Sequence, residues 1–405
     1  MISRFARAVV PTLAVVLALG GCAQAPVDAP GPAQPQPAAS ATSTRPAPTP
    51  SATPTLTPTP TPTPEPEPQR LTVTISGDLL WHKGLIAEAA AAGKKAGAAY
   101  DFVPIFEHIR PLIEDADVSV CHVEVPVTPR GVKPAGYPVF AAPPETIEAA
   151  AEVGFDYCTF ASNHTFDRGF AGVEATLDAL DDAGIVHTGA YRAEADAEVP
   201  AILTTASGVK VAVVAGSYGS NLKAPAGKAW AMDRLDAATM IARGKAARKA
   251  GAEIVLAAMH AGIEQRHEPN DEQVKVATAL ASSGVFNLVY GHHAHVVQPW
   301  DRINGTWVVY GVGNLVGQMR VSTPRSWEQF LGRLTFEKQG DRWEAVQAEY
   351  VPLLMTLGAA GAPARVLDVN KALSERKGDT KRLKVAKEQI AKAVALLGAD
   401  VTEVG

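Results

Sequence analysis

From Leu71 onward, short apolar runs alternate with stretches whose apolar residues recur at helical spacing. The runs predict strands at Leu71–Ser76, Val118–His122, Phe155–Phe160, Ala201–Thr205, Val209–Ala215, Ile254–Met259, Phe286–Tyr290 and Trp307–Tyr310. Several are continuous in Val, Ile and Leu, as strands buried on both faces are. Helices are predicted between them over Val103–Glu114, Pro144–Val153, Gly169–Ala183, Ala237–Ala250 and Asp271–Ser283, with Gly184 and Gly284 as stops. This order predicts an α/β domain of central mixed sheets flanked by helices, spanning 71–360. Val209–Ala215 follows its neighbour so closely that part of the sheet is expected to be antiparallel. A late strand is read at Arg342–Val351, and 361–405 reads as a charged helical extension. No internal repeat is visible.

The first 70 residues do not fit this pattern. Residues 1–21 carry Arg4 and Arg7, an apolar stretch from Ala8 to Leu19, and a small-residue ending before Cys22, the layout of a secretory leader. Leu19-Gly20-Gly21-Cys22 resembles a bacterial lipobox, which implies lipidation of Cys22 and anchorage at the extracytoplasmic face of the membrane. Residues 22–70 form a Pro/Thr/Ala tract holding 15 of the chain's 31 prolines. Such a composition buries no core and favours polyproline II, so the tract is expected to be a stalk reaching into the wall. Fully extended, it would span on the order of 150 Å. The net charge of −5 gives no sign of a nucleic-acid partner. The basic run Arg243–Lys249 reads as the solvated face of a helix. Cys121 and Cys158 sit in apolar runs and are expected to be buried thiols.

Polar residues gather where the predicted strands end, which is where open α/β sheets bind ligands. The clusters are Ser76-Gly77-Asp78 with Trp81-His82, then Cys121-His122-Val123-Glu124, then Ser162-Asn163-His164 through Asp167. His260-Ala261-Gly262-Ile263-Glu264 and Gly291-His292-His293-Ala294-His295 complete the set. Six of the ten histidines take ligand-like positions here: His82, His164, His260, His292, His293 and His295. His122 is a seventh whose direction is open. Residues two apart on an extended chain point the same way, so His293 and His295 are expected to act together and His292 to point elsewhere. A mixed oxygen and nitrogen donor set suits a binuclear site of Mn, Fe or Zn, and Glu124 is the expected bridging carboxylate. Two such ions lie ~3.5–4 Å apart in displacement enzymes.

The blocks Gly77-Asp78, His122-Val123-Glu124-Val125-Pro126-Val127-Thr128, Ser162-Asn163-His164-Thr165-Phe166-Asp167-Arg168-Gly169, His260–Glu264, Gly291–His295 and Gly313-Asn314 occur in an order that resembles the bacterial CapA family of capsule and poly-γ-glutamate synthesis proteins. The resemblance covers about 71–352 and implies a metallophosphatase-like fold related to calcineurin-like phosphoesterases. It also implies roles: Asp78 and His295 on one metal, Asn163, His260 and His293 on the other, and Glu124 between them. His164 would be a general acid or charge stabiliser, positioned by Asp167, and Glu264 would orient His260 or touch substrate. The calcineurin-like pattern is not matched throughout. Leu80 stands where a histidine is usual, Glu124 where aspartate is, and Thr165 directly follows His164. His82 is the nearest imidazole to the vacated position.

Each residue also has a structural role open to it. Asp78 suits a turn, Asn163 a helix N-cap, and His260 a satisfied core imidazole; Asn314 suits either a turn or a donor behind a ligand. Two kinds of function follow. One is a surface-anchored, metal-dependent hydrolase or transferase acting on a phosphoester or an acyl or amide bond of an anionic envelope polymer or its precursor. The other is a non-catalytic polymer-binding subunit of a capsule synthesis apparatus. The resemblance implies a membrane synthase as partner in either case. A plain binding module is the weakest alternative.

Overall fold

A computed structural model describes residues 68–356, 358 and 363–405. The leader, Cys22 and the proline-rich tract through Glu67 lie outside the described residues. Two sheets are built in chain order. The first takes β1 (Arg70–Leu79), β2 (Val118–Val123), β3 (Tyr157–Thr159) and β4 (Val186–Thr188). The second takes β5 (Ile202–Thr204), β6 (Lys210–Ser217), β7 (Ile254–His260), β8 (Leu288–His292), β9 (Trp300–Ile303) and β10 (Thr306–Val309). The chain then returns to the first sheet as β11 (Glu328–Gln339), β12 (Arg342–Met355), β13 (Val366–Asp368) and β14 (Thr402–Glu403). The helices are α1 (Lys83–Ala96), α2 (Arg110–Glu114), α3 (Glu145–Glu152), α4 (Gly169–Asp182), α5 (Ala237–Lys249), α6 (Asp271–Ser282), α7 (Val369–Ser374) and α8 (Thr380–Val394). Among the described residues, no helix is long and apolar enough to cross a membrane.

Strand order is β13-β12-β11-β1-β2-β3-β4 in one sheet, with β14 beside β12, and β5-β6-β7-β8-β10-β9 in the other. β1 to β4 run parallel, as do β6, β7, β8 and β10, while β5 and β9 are antiparallel edges. Alternation along β7 separates two cores. Ile254, Leu256 and Ala258 join the main core between the sheets, and Val255, Ala257 and Met259 join a smaller one under α5 and α6. The sheets meet through contacts such as Trp300 against Phe330, with ring centroids 5.7 Å apart.

Several elements depart from the sequence pattern for identifiable reasons. The helix expected over Val103–Glu114 splits into a 3-10 turn at Val103–Ile105 and the short α2, because Pro104 and Pro111 each start a new turn. α1, rich in alanine, is a helix absent from the pattern above, and it buries Leu85, Ile86 and Ala89. The late strand at Arg342–Val351 is extended as β12 and pairs with β11, whose Gly332 allows Ile75 of β1 to approach. The C-terminal stretch is more than a helical extension, since β13 and β14 both add to β12. Cys121 and Cys158, expected as thiols, are corrected to a disulfide; parallel β2 and β3 place them in direct register. The basic run on α5 is not simply solvated either. Arg243 pairs with Asp233, and Arg248 donates to Val285 O at 2.8 Å and to Asn287 Oδ1 at 2.6 Å.

Close approach also dictates Gly291. A Cβ there would run into the carbonyl oxygen of Tyr310, which is backbone and cannot turn aside. Gly291→Ala is therefore expected to cost about 1–3 kcal/mol in chemical denaturation. A stability equal to wild type would show that β8 and β10 separate freely.

Candidate metal centre

The site lies where the parallel strands of both sheets end, and strand parity explains who points into it. In β2 the inward row is Val118, Val120, His122, while Ser119 faces the other way and donates to Ile113 O at 2.6 Å. In β7 the row Ile254, Leu256, Ala258 continues to His260, and in β8 the row Leu288, Tyr290 continues to His292. Each histidine thus takes the last inward position of a buried row. β1 carries an irregularity, with Ile75 opposite Val120 but Asp78 opposite His122. Three residues in β1 answer two in β2, and this bulge returns Asp78 to the inward side. Gly77 makes it feasible, because any side chain there would strike the backbone of Gly313 and Leu315.

Beyond β8 the chain leaves the extended conformation. His293 has φ 84° and His295 φ 55°. The expectation that these two share a direction because the chain is extended is therefore corrected; they are brought inward by left-handed turns. His292, expected to point away, lies inside the cluster, its Nδ1 2.7 Å from Asp78 Oδ1. The ring of His122 stacks on that of His292 with centroids 4.1 Å apart.

Two groups of donor atoms could each hold one cation: Asp78, His122 and His292, and Asp78, Glu124 and His295. Asp78, rather than Glu124, is the residue common to both. His295 Nδ1 lies 3.2 Å from Asp78 Oδ2, and its Nε2 lies 3.6 Å from Glu124 Oε1. Asn163 and His260, expected together, are together: His260 Nε2 donates to Asn163 Oδ1 at 2.8 Å. His260 Nδ1 lies 3.0 Å from His122 Nε2, and His122 Nδ1 lies 2.7 Å from Thr159 Oγ1. With Nδ1–H donated to Thr159, whose own hydroxyl donates to Cys121 O at 3.5 Å, His122 keeps the Nε2 lone pair that a cation needs. The His293 ring sits 4.9 Å from that of His260. Glu264 is exposed and is not a partner of His260, whose two nitrogens are taken by Asn163 and His122, so the orienting role expected for it is corrected. His82 stays outside both groups, its Nδ1 accepting from Gln318 N at 3.1 Å.

The electrostatics ask for positive charge. Burial alone would push the Asp78 carboxyl up, but the adjoining His292 and His295 imidazoles hold it well below the usual carboxylate range. Burial pushes the Glu124 carboxyl well above its ordinary value against the pull of His295. His295 is pushed up to about 10; burial opposes its charge, but Glu124 and Asp78 outweigh it. Burial, with the neighbouring imidazoles, holds His122 and His260 well below the ordinary histidine value and His293 at about 3. Both oxygens of Asp78, both oxygens of Glu124, both nitrogens of His292 and Nδ1 of His293 are buried without a well-aligned hydrogen bond, although imidazole nitrogens of His292 and His295 stand 2.7 Å and 3.2 Å from Asp78. An unsatisfied buried group costs about 1–3 kcal/mol, more if charged. Two acidic side chains that lack hydrogen bonds, set among imidazoles, form a donor set that a divalent cation fits, the cation taking the place of the proton that Glu124 and Asp78 hold on His295.

Beside this cluster stands a separate pair. His164 Nδ1 donates to Asp167 Oδ2 at 2.7 Å, and the same oxygen accepts from Phe140 N at 2.7 Å. Phe140 packs edge-on against the His164 ring, with centroids 4.8 Å apart. Ser162 Oγ ties the pair to the cluster, accepting from His164 N at 3.0 Å and donating to Glu124 O at 2.5 Å.

Sequence reasoning missed several neighbours. Tyr218, after β6, sets its ring 4.6 Å from His293. Asn314 Oδ1 accepts from His295 Nδ1 at 2.7 Å, and its amide donates to Ser326 O at 3.1 Å. The Gly313-Asn314 block marked the latter, and of its two expected roles, a turn or a group behind a ligand, the structure shows the second; Tyr218 had no local signal at all.

The family model of bacterial capsule synthesis protein PGA_cap matches residues 72–319, more than half of the chain and the span that holds every residue of this cluster. Among curated proteins, the chain is 26% identical over 258 residues to a capsule biosynthesis protein CapA of Bacillus anthracis, covering 61% of this chain and 60% of that one. It is 28% identical over 221 residues to a PGA biosynthesis protein CapA of Bacillus subtilis, covering 52% and 56%. A probable polyglutamine synthesis accessory protein of Mycobacterium tuberculosis is 27% identical over 214 residues, covering 49% and 55%. The chain therefore spans less than two thirds of the length of these relatives. Solved structures that align include a novel phosphatase from Mycoplasma pneumoniae, at 12% identity and TM-score 0.44 over 71% of this chain and 95% of that one. The calcineurin-like phosphoesterase YfkN from Bacillus subtilis aligns at 13% identity and TM-score 0.39 over 80% and 98%.

Proposed function

The chain belongs to the bacterial capsule synthesis protein PGA_cap family, and from that membership we propose that it serves the synthesis, export or anchoring of a capsule or poly-γ-glutamate polymer as a metal-dependent hydrolase of the cell surface. The names of its relatives support the process. Lipidation at Cys22 would hold it at the extracytoplasmic face, with the Pro/Thr tract extending it into the wall and a membrane synthase as its partner.

The observation that carries the catalytic part is the set of four carboxyl oxygens on Asp78 and Glu124 that accept no hydrogen bond, buried among imidazoles. Asp78, His122 and His292 would hold one divalent ion, and Asp78, Glu124 and His295 a second, with Asn163, His260 and His293 on the flank facing Tyr218. Mn, Fe or Zn suits these donors. When bound, such ions supply Lewis acidity and a water that is a strong nucleophile at neutral pH. The chain's own part is to bind and orient an anionic group and to exclude bulk water from a buried cluster. It also holds a proton at His164, whose imidazole is fixed by Asp167. The bond cleaved would be a phosphoester or an acyl or amide link in the polymer or its precursor, with Glu264 at the exposed mouth as a contact.

Metal analysis of the purified chain, with turnover of a generic phosphodiester, tests this reading. The wild type is expected to carry divalent metal. His295→Ala is expected to weaken binding by more than the roughly 10- to 100-fold that losing a partner behind a ligand costs, and His260→Ala, at a residue standing behind His122, by about that amount. Bound metal without turnover would favour a subunit that only grips polymer. A chain that takes up no metal and is indifferent to both substitutions would end the metal reading.

A further inference from the structure

The loop after β6 crosses from the second sheet to the first and closes on His164. It is anchored at both ends. Arg234 Nη2 donates to Tyr218 O at 2.5 Å on the second-sheet side. On the other side, Asn221 N donates to Asn163 O at 2.7 Å, and Ser220 Oγ donates to the same carbonyl at 3.3 Å. Asn163 and His164 are consecutive, so pinning the Asn221 backbone to the first carries its side chain to the second. The Asn221 amide nitrogen lies 3.5 Å from His164 Nε2, at the long end of a hydrogen bond.

The direction of that contact follows from the other ring nitrogen. His164 Nδ1–H donates to the Asp167 carboxylate, so in the tautomer this sets Nε2 is the accepting nitrogen. The Asn221 amide donates to that nitrogen. Phe140 stands edge-on against the ring, and Asp167 prevents it from flipping. Asn221 is the only partner of Nε2 among the described residues.

We propose that Asn221 is a positioning residue for His164: it holds Nε2, the ring nitrogen left open toward substrate, and is displaced when substrate arrives. The proposal rests on reading His164 as the group that handles a proton in the reaction above. It places the second sheet's contribution to catalysis in a loop as well as in metal ligands. Asn221 itself is exposed, so its removal leaves the core untouched.

The test uses the full chain with 15N-labelled histidine, with spectra recorded without substrate. In Asn221→Ala the His164 Nε2 resonance is expected to shift, and Asn221→Gln, which keeps the amide, is expected to recover part of that shift. Turnover in Asn221→Ala is expected to fall about tenfold in kcat with KM and metal content unchanged, a modest misplacement on the scale of catalytic positioning. A His164 Nε2 resonance that is the same in Asn221→Ala as in wild type would overturn the proposal. If the resonance moves but the wild type shows no turnover, the contact stands and the hydrolase reading is what fails.

Discussion

Asp78→Asn is expected to strip the chain of bound divalent metal and to cut metal-dependent turnover by about three orders of magnitude or more. The size follows from position: Asp78 is the residue common to both donor groups, so neutralising it removes charge from each. Losing several kcal/mol of charge stabilisation at a metal site corresponds to about 10³-fold in rate. The fold is expected to survive, for reasons visible in the same geometry. Asparagine has nearly the same shape and would fill the same fully buried position. Neutralising Asp78 takes the counter-charge from His292 and His295, whose Nδ1 atoms lie 2.7 Å and 3.2 Å away, and removing one partner of a buried pair is destabilising. In metal-free buffer the variant should therefore melt below wild type, and in metal-containing buffer it should lose the wild type's ligand stabilisation as well. A gap between the two melting curves that widens with metal would separate a functional carboxylate from a structural one. A variant that binds metal as tightly as wild type would remove Asp78 from the site.

How far this centre could be read in advance depends on distance along the chain. Strand-end clusters were legible, because parallel strands deliver their carboxyl ends to one edge and polar residues there stand out against apolar runs. The inward rows Leu256, Ala258, His260 and Leu288, Tyr290, His292 were also legible in principle. Reading the parity of the whole row, instead of the histidine triplet alone, would have turned His292 inward. What defeated that reading was an assumption of extended chain through His295, where the backbone in fact turns left-handed at His293 and His295. Asp78 raises the opposite difficulty. Simple alternation from Ile75 points it outward, and only the bulge opposite β2, a property of strand pairing, returns it. Asn221 lies beyond any local pattern, since it reaches His164 across 57 residues. Short elements such as β4 carried too little periodicity to be seen.

The second large effect separates chemistry from metal binding. His164→Ala is expected to lower turnover by about 10²–10⁴-fold, the range of general acid–base catalysis, while leaving metal content at the wild-type level. The imidazole is in neither donor group. Its Nδ1 is committed to Asp167, so its free function lies at Nε2, facing the Asn221 loop. Asp167→Asn should have a smaller effect in the same direction. An amide can still accept from His164 Nδ1 or from Phe140 N, but it no longer favours the positive charge an imidazole gains when it takes up a proton. Measuring metal content alongside kcat decides between two accounts. If His164→Ala loses metal and turnover together, His164 belongs with Asn163 as part of the ligand set, and the proton at the leaving oxygen must come from elsewhere. If turnover alone collapses, and a strain carrying His164→Ala makes the protein at normal levels but no capsule, the site works by catalysis and not by gripping the polymer.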